Sequence, residues 1–117
     1  MSLKIICHMI SSVDGRLLPD RWTEPAQPLD VTEVYETAAS SFPADGWLIG
    51  RTSMAQYDDS ISEGAPAPKR AADEPRPQPF VGAREGRMLA IAVDPKGKLR
   101  YRSPTLATGE HLVAILA

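Results

Sequence analysis

Apolar residues gather in short, well-separated runs. Lys4–Ser11 (Lys-Ile-Ile-Cys-His-Met-Ile-Ser), Trp47–Ile49, Arg87–Asp94 (Arg-Met-Leu-Ala-Ile-Ala-Val-Asp) and His111–Ala117 are each nearly continuous in hydrophobicity. None alternates cleanly, which suits strands covered on both faces in an α/β sheet. Asp30–Phe42 has a different period. Val31, Val34, Tyr35, Ala38, Ala39 and Phe42 form a 3.6-residue stripe, which predicts an amphipathic helix. Asp30, with Glu33 three residues on, fits an N-terminal cap, and Pro43 stops the helix. That helix is expected to bury one face on a sheet and to show Glu33, Glu36 and Thr37 to water. A second helix is expected after Gly50, capped by Thr52 or Ser53 and running through Met54 and Tyr57. Alternating strands and helices imply neighbouring parallel strands joined by right-handed crossovers. Leu99–Arg102, after the turn Pro95–Lys98, is expected to pair as a short strand.

The polar stretches divide by composition. Ser11–Gly15 ends the first run with the turn dipeptide Asp14-Gly15. Residues 16–29 are irregular and hold Pro19, Pro25 and Pro28. Trp22 within them is either a lid over the core or a wall of a binding cleft. Residues 59–86 form a long proline-rich insert with no hydrophobic period, read as a surface loop. Cys7 reads as a small core residue and His8 as a core or cleft-edge histidine. The final run ends without cap, turn or polar tail, so residues 1–117 read as a single, partial domain.

Length and composition narrow the classes. At 117 residues, 43% hydrophobic and 24% charged, the chain matches one ordinary globular domain. A net charge of −2 argues against nucleic acid or an anionic membrane as partner. No run reaches the ~20 apolar residues of a membrane span. Cys7 is the only cysteine, so neither an intrachain disulfide nor a thiolate zinc cluster can form, and no metal site is expected. No signal peptide is visible, which makes the cytoplasm the default compartment.

The candidate chemistry is concentrated at Asp45-Gly-Trp-Leu-Ile-Gly-Arg-Thr-Ser53. A strand that ends in glycine and opens a helix aims backbone N–H groups beyond the sheet edge, where an anion such as phosphate can sit. Gly50 lets a ligand approach the backbone, Arg51 could fork onto a phosphate, and Thr52 or Ser53 could donate to another oxygen. Taken alone, the same four residues also describe an ordinary helix start with an exposed arginine.

Two segments, in order and at the right separation, carry a resemblance. Ser12-Val-Asp-Gly-Arg16 after the first apolar run, and Asp45 to Thr52 one helix later, resemble the dihydrofolate reductase-like superfamily, and within it the reductase domain of the riboflavin-biosynthesis deaminase–reductase enzymes. The resemblance implies a three-layer α/β fold with a mixed, mainly parallel sheet, of which this chain covers the first half. It implies an NADPH-dependent reductase of the 5-amino-6-(5-phosphoribosylamino)uracil reductase type, acting on a pyrimidine- or pteridine-like heterocycle. It further implies a homodimer. The cofactor would be held by Ser11, Gly50, Arg51, Thr52 and Ser53, with Arg51 a candidate for the 2′-phosphate. Asp14, Trp22, Gln56 and Asp59 would border the substrate, and no side chain is assigned as acid or base.

The chain also departs from that family. Gln56 stands where the riboflavin enzymes carry an acid, with Asp58 and Asp59 as nearby substitutes. The family's substrate-phosphate arginine has no direct match, and Arg84 or Arg87 are its stand-ins. These departures leave a non-catalytic nucleotide-binding relative, or an oligomerisation module of the same fold, as alternatives.

Overall fold

The computed structural model describes residues 2–24, 27–80 and 82–117. Pro25, one of the prolines expected to break the 16–29 stretch, lies outside them, as does Val81 of the insert. The chain divides into two compact units, residues 1–43 and 44–117.

In the first unit the expected strand at 4–11 does not form. These residues are irregular and largely open to solvent, with Leu3, Ile5 and Met9 all exposed. Hydropathy reports a preference for burial, but a strand also needs an edge that accepts its N–H and C=O groups. Among the described residues, positions 4–10 find no such partner. Cys7 is exposed, which overturns its placement in a core. His8 is half-buried and stacks on Tyr35, ring centroids 4.2 Å apart, with Phe42 edge-on at 5.6 Å. A single 3-10 turn spans Pro19–Arg21.

Helix α1 runs Val31–Ser40. Asp30 caps it as expected, its carboxylate accepting from the Glu33 N–H at 3.0 Å, and the Ser41 N–H closes the last turn onto Ala38 and Ala39. The apolar stripe is real but shallow. Val31, Tyr35 and Ala39 are half-buried, Val34 is exposed, and no α1 residue is fully buried. The expected burial of one helix face on a sheet is therefore not realised within this unit.

The second unit is α/β. Its parallel sheet holds β1 (Gly46–Gly50), β3 (Leu89–Val93) and β5 (His111–Ile115), with β3 in the centre. Gly46 lies opposite Leu89, and Leu89 opposite His111. Helix α2 (Arg51–Tyr57) follows β1 directly. A second, two-stranded sheet pairs β2 (Ser62–Glu63) antiparallel with β4 (Leu99–Arg100).

The β1 and β3 strands are close because of one glycine. A Cβ on Gly46 would lie 2.7 Å from the Leu89 carbonyl oxygen and 2.8 Å from the Leu89 Cβ, so only a hydrogen fits there. On β3, Ala90 and Ala92 are buried while Leu89, Ile91 and Val93 are half-buried, the two-residue period of a pleated strand. Alanine on the buried face leaves room for Met54 of α2, which has no exposed surface. Ile61, Leu99 and Leu106 complete this core, flanked by Trp47, Ile49, Ala55, Tyr101 and Leu112.

The beginning of the 59–86 stretch is part of this unit's framework. Ile61 is in the core and Ser62–Glu63 form β2. Backbone bonds from Gly64 to Lys98 and from Ala67 to Lys96 continue the pairing. Residues 68–80 are exposed throughout and lack regular structure, as the proline content predicts.

Candidate functional site

In the first unit, Asp14 and Trp22 line one cleft. Its floor is a chain reversal in which the Gly15 N–H donates to the Ser12 carbonyl at 2.9 Å and the Ser12 N–H donates to the Arg16 carbonyl at 3.0 Å. Gly15 has φ +82°, a left-handed conformation in which an L side chain is strained. Arg16 joins this reversal to the 3-10 turn. Its Nε lies 3.0 Å from the Asp14 carboxylate, and its Nη1 donates to the Arg21 carbonyl at 2.7 Å. The Arg16 carbonyl in turn accepts from the Trp22 indole Nε1 at 2.8 Å. The Ser12 hydroxyl donates to Asp14. These residues border an open surface cleft of about 430 Å³, lined by Ser12, Val13, Asp14, Arg16, Arg21, Trp22 and Thr23. Trp22 is half-buried and lines this cleft. Ser11 is exposed and lies immediately before the reversal.

In the second unit, parallel strands put the carboxyl ends of β1, β3 and β5 on one sheet edge. Gly50 ends β1 there, in an extended conformation that any residue could adopt (φ −74°). A Cβ at Gly50 would meet nothing within 4 Å, so the backbone is open to approach. Gly50 itself takes the N-cap position, with no side-chain cap. Thr52 and Ser53, expected as caps, instead lie inside the first turn of α2.

At 100° per residue, Thr52, Gln56, Ser53 and Tyr57 fall on one arc of α2, and all four are exposed. Arg51, Met54 and Ala55 fall on the opposite arc and are half-buried or buried. The structure thus brings Thr52, Ser53 and Gln56 onto one polar face. Arg51 is engaged: its Nη1 forms an ion pair with Glu63 of β2, the two side chains 30% and 41% exposed.

Asp58, one of the substitutes for the family's acid, is committed elsewhere. Its Oδ2 accepts from the Ala107 N–H at 2.8 Å and its Oδ1 from the Ser60 N–H at 2.8 Å. The Ala107 bond first, and then those from Ser60, hold its carboxyl below the ordinary value of 3.8. Asp59, beside it, is exposed. The arginine stand-ins are likewise engaged. The Arg84 Nε donates to the Arg87 carbonyl at 2.7 Å and its Nη2 donates to the Asp45 carbonyl, while Arg87 pairs with Glu85 at 2.9 Å. Sequence reasoning therefore named cations that serve the backbone and a local ion pair.

It missed Asp94. This residue follows β3 at the same sheet edge and is 1% exposed. Its Oδ2 accepts from the Leu99 N–H at 2.8 Å and its backbone carbonyl accepts from the Gly97 N–H, so it folds the Asp-Pro-Lys-Gly turn. Its Oδ1 and the Tyr101 hydroxyl are buried and have no hydrogen-bond partner among the described residues. Burial first, and the Asp94 charge second, push the Tyr101 phenol above its ordinary value of 10.0. The turn dipeptide Asp94-Pro95 was the available signal, since Asp before Pro commonly starts a turn. Burial of the carboxylate had no counterpart in the pattern.

Among the described residues, no three His, Cys, Asp or Glu side chains cluster as metal ligands, and no helix is long and apolar enough to cross a membrane. Comparison with family models, curated proteins and solved structures finds no match to this chain.

Proposed function

We propose that the chain has a three-layer dihydrofolate reductase-like fold and acts as an NADPH-dependent reductase. Its substrate is a pyrimidine- or pteridine-like heterocycle, of the 5-amino-6-(5-phosphoribosylamino)uracil reductase type, and it works as a cytoplasmic homodimer. The reading starts from the two motif segments, Ser12–Arg16 and Asp45–Thr52. The observation that carries it furthest is the carboxyl edge of the parallel sheet. Open α/β sheets bind ligands at that edge. Here Gly50 leaves clear space at the strand end, and the hydroxyls of Thr52 and Ser53 stand exposed beyond it.

These residues fit a dinucleotide phosphate through their side chains rather than through the helix dipole, because α2 is only seven residues long. Thr52 and Ser53 donate to phosphate oxygens. Arg51 turns from Glu63 to the 2′-phosphate, a bidentate match for its guanidinium. By the resemblance, Ser11 belongs with the cofactor residues, and Asp14, Trp22, Gln56 and Asp59 are the candidates for the substrate. NADPH supplies the hydride when bound, and the protein contributes orientation and a fixed charge pattern.

The test is a titration of NADPH followed by its own fluorescence. Saturable binding is expected, and its absence rejects the reading. In Arg51→Ala, the preference for NADPH over NADH is expected to fall by about tenfold, the worth of one charge-assisted hydrogen-bonded pair. An unchanged preference removes Arg51 from the 2′-phosphate role.

Gln56 and the engagement of Arg84 and Arg87 favour a second reading, a relative that binds the nucleotide without performing the reduction. It predicts NADPH binding with no oxidation of the cofactor across a panel of pyrimidine and pteridine substrates.

A further inference from the structure

Arg51 and Glu63 meet at the carboxyl edge of the parallel sheet, and each is held there in a different way. Arg51 opens α2 directly after β1 ends. It is half-buried, and its Nη1 reaches the Glu63 carboxylate. Glu63 is presented by backbone. It lies opposite Leu99 in the β2–β4 ladder, and the Gly64 N–H continues that pairing to the Lys98 carbonyl at 2.8 Å. The Leu99 N–H in turn donates to Asp94, the residue that follows the central strand. Main-chain bonds therefore fix the Glu63 carboxylate beside the strand ends. Among the described residues, Arg51 is its ion-pair partner.

We propose that Glu63 sets the cofactor selectivity of this site by competing with the 2′-phosphate for Arg51. This rests on the reading of the Gly50–Ser53 turn as the cofactor site. A phosphate that takes Nη1 must displace the Glu63 carboxylate. A phosphate that takes the other guanidinium nitrogens leaves two anions against one cation. Either way Glu63 opposes it. NADH carries no 2′-phosphate and leaves the Arg51–Glu63 pair as it stands, so the opposition falls on NADPH alone. Both side chains are partly open to water, and an ion pair in that setting is weak, enough to change an affinity about threefold. A bidentate arginine–phosphate contact is stronger, so NADPH remains the preferred ligand, but by a narrower margin than Arg51 alone would give. Glu63 thus acts as a brake on that preference, mounted where the exposed proline-rich segment leaves the framework.

Fluorescence titrations of NADPH and NADH into the full chain and into Glu63→Gln test the proposal. In the variant, NADPH is expected to bind about threefold more tightly while NADH affinity stays the same. Equal gains for the two ligands overturn the proposal, because they report only the loss of a negative charge near any anionic ligand. Unchanged or weakened NADPH binding overturns it too. Urea unfolding of the ligand-free parent, Glu63→Gln, Arg51→Ala and the double variant reads the ion pair without any cofactor. The two substitutions are expected to be less than additive, since the second removes a partner already lost. Strict additivity means that the pair does not hold in solution, and rejects the competition. Saturable NADPH binding that Glu63→Gln leaves unaltered rejects the Glu63 role and keeps the cofactor reading. Non-additive unfolding without NADPH binding to either protein keeps the ion pair, and rejects the cofactor reading and the competition together.

Discussion

Gly46 and Asp58 show how much rests on single atoms in the second unit. At Gly46 the sheet leaves no room for a methyl group, with the Leu89 carbonyl oxygen 2.7 Å from where it would sit. Gly46→Ala must therefore push β1 from β3 or distort the strand. It is expected to cost about 1–3 kcal/mol, read as a lowered urea midpoint with an unchanged slope. A variant as stable as the parent would show that the strands separate without penalty. Asp58 makes a different link, from the end of α2 to the 105–107 segment through Ala107. Its carboxyl is held below 3.8 in the folded chain, so the unfolded chain binds its proton more readily. The stabilisation is complete above that value and drains away as pH falls below about 4. Urea midpoints measured down an acid series should drop in the parent, and the drop should be smaller in Asp58→Asn. Parallel curves would remove Asp58 as a source of acid sensitivity. Neither feature could be read from the chain. Gly46 stood only as one residue of the candidate segment, and Asp58 only as a substitute for the family's acid. Their roles depend on neighbours some 40 to 50 positions away in sequence.

The elements were legible where local pattern alone decides them. Helix α1 announced itself by period and by the Asp30 cap, and the structure keeps both. The strands at 46–50, 89–93 and 111–115 were legible as apolar runs; of their parallel pairings, β1–β3 has helix α2 in its connection, whereas no helix lies between β3 and β5. Lys4–Ser11 had the same signature and did not become a strand. A run of isoleucine and methionine states that water is disfavoured, and nothing in it names the edge it would join. The 59–86 stretch erred in the other direction. Its polarity hid Ile61 and the two residues that pair with β4. The remaining exposed segment, with Lys69 and Arg70 outside any hydrogen-bonded ladder, should be the first place that trypsin cuts. Brief digestion followed by mass spectrometry should find early cleavage there and not at Lys98 or Arg100. Early cuts at the latter two would mean that the β2–β4 pair opens readily. Of the candidate site, the Gly50–Ser53 turn and Trp22 were named from the sequence, with Trp22 open between a lid and a wall. The link that Arg16 makes between the chain reversal and the 3-10 turn was not, because only folded geometry shows which partners an arginine finds.

At the scale of the molecule, the sheet order has a kinetic consequence. Leu89 of β3 meets His111 across 22 positions of chain, and Gly46 meets Leu89 across 43. Closing the longer loop costs more entropy before any contact repays it, though only about 0.6 kcal/mol for each doubling of length. The β3–β5 pair should therefore assemble first and β1, with α2 attached, should join it late. The same order reversed describes how the sheet comes apart. Amide protons of Trp47–Gly50 should exchange with solvent sooner than those of Ala90–Ala92 at neutral pH, and removal of residues 68–80 should speed refolding with little change in equilibrium stability. In that view the proline-rich segment acts as a tether whose length sets how long the central strand waits for its second neighbour.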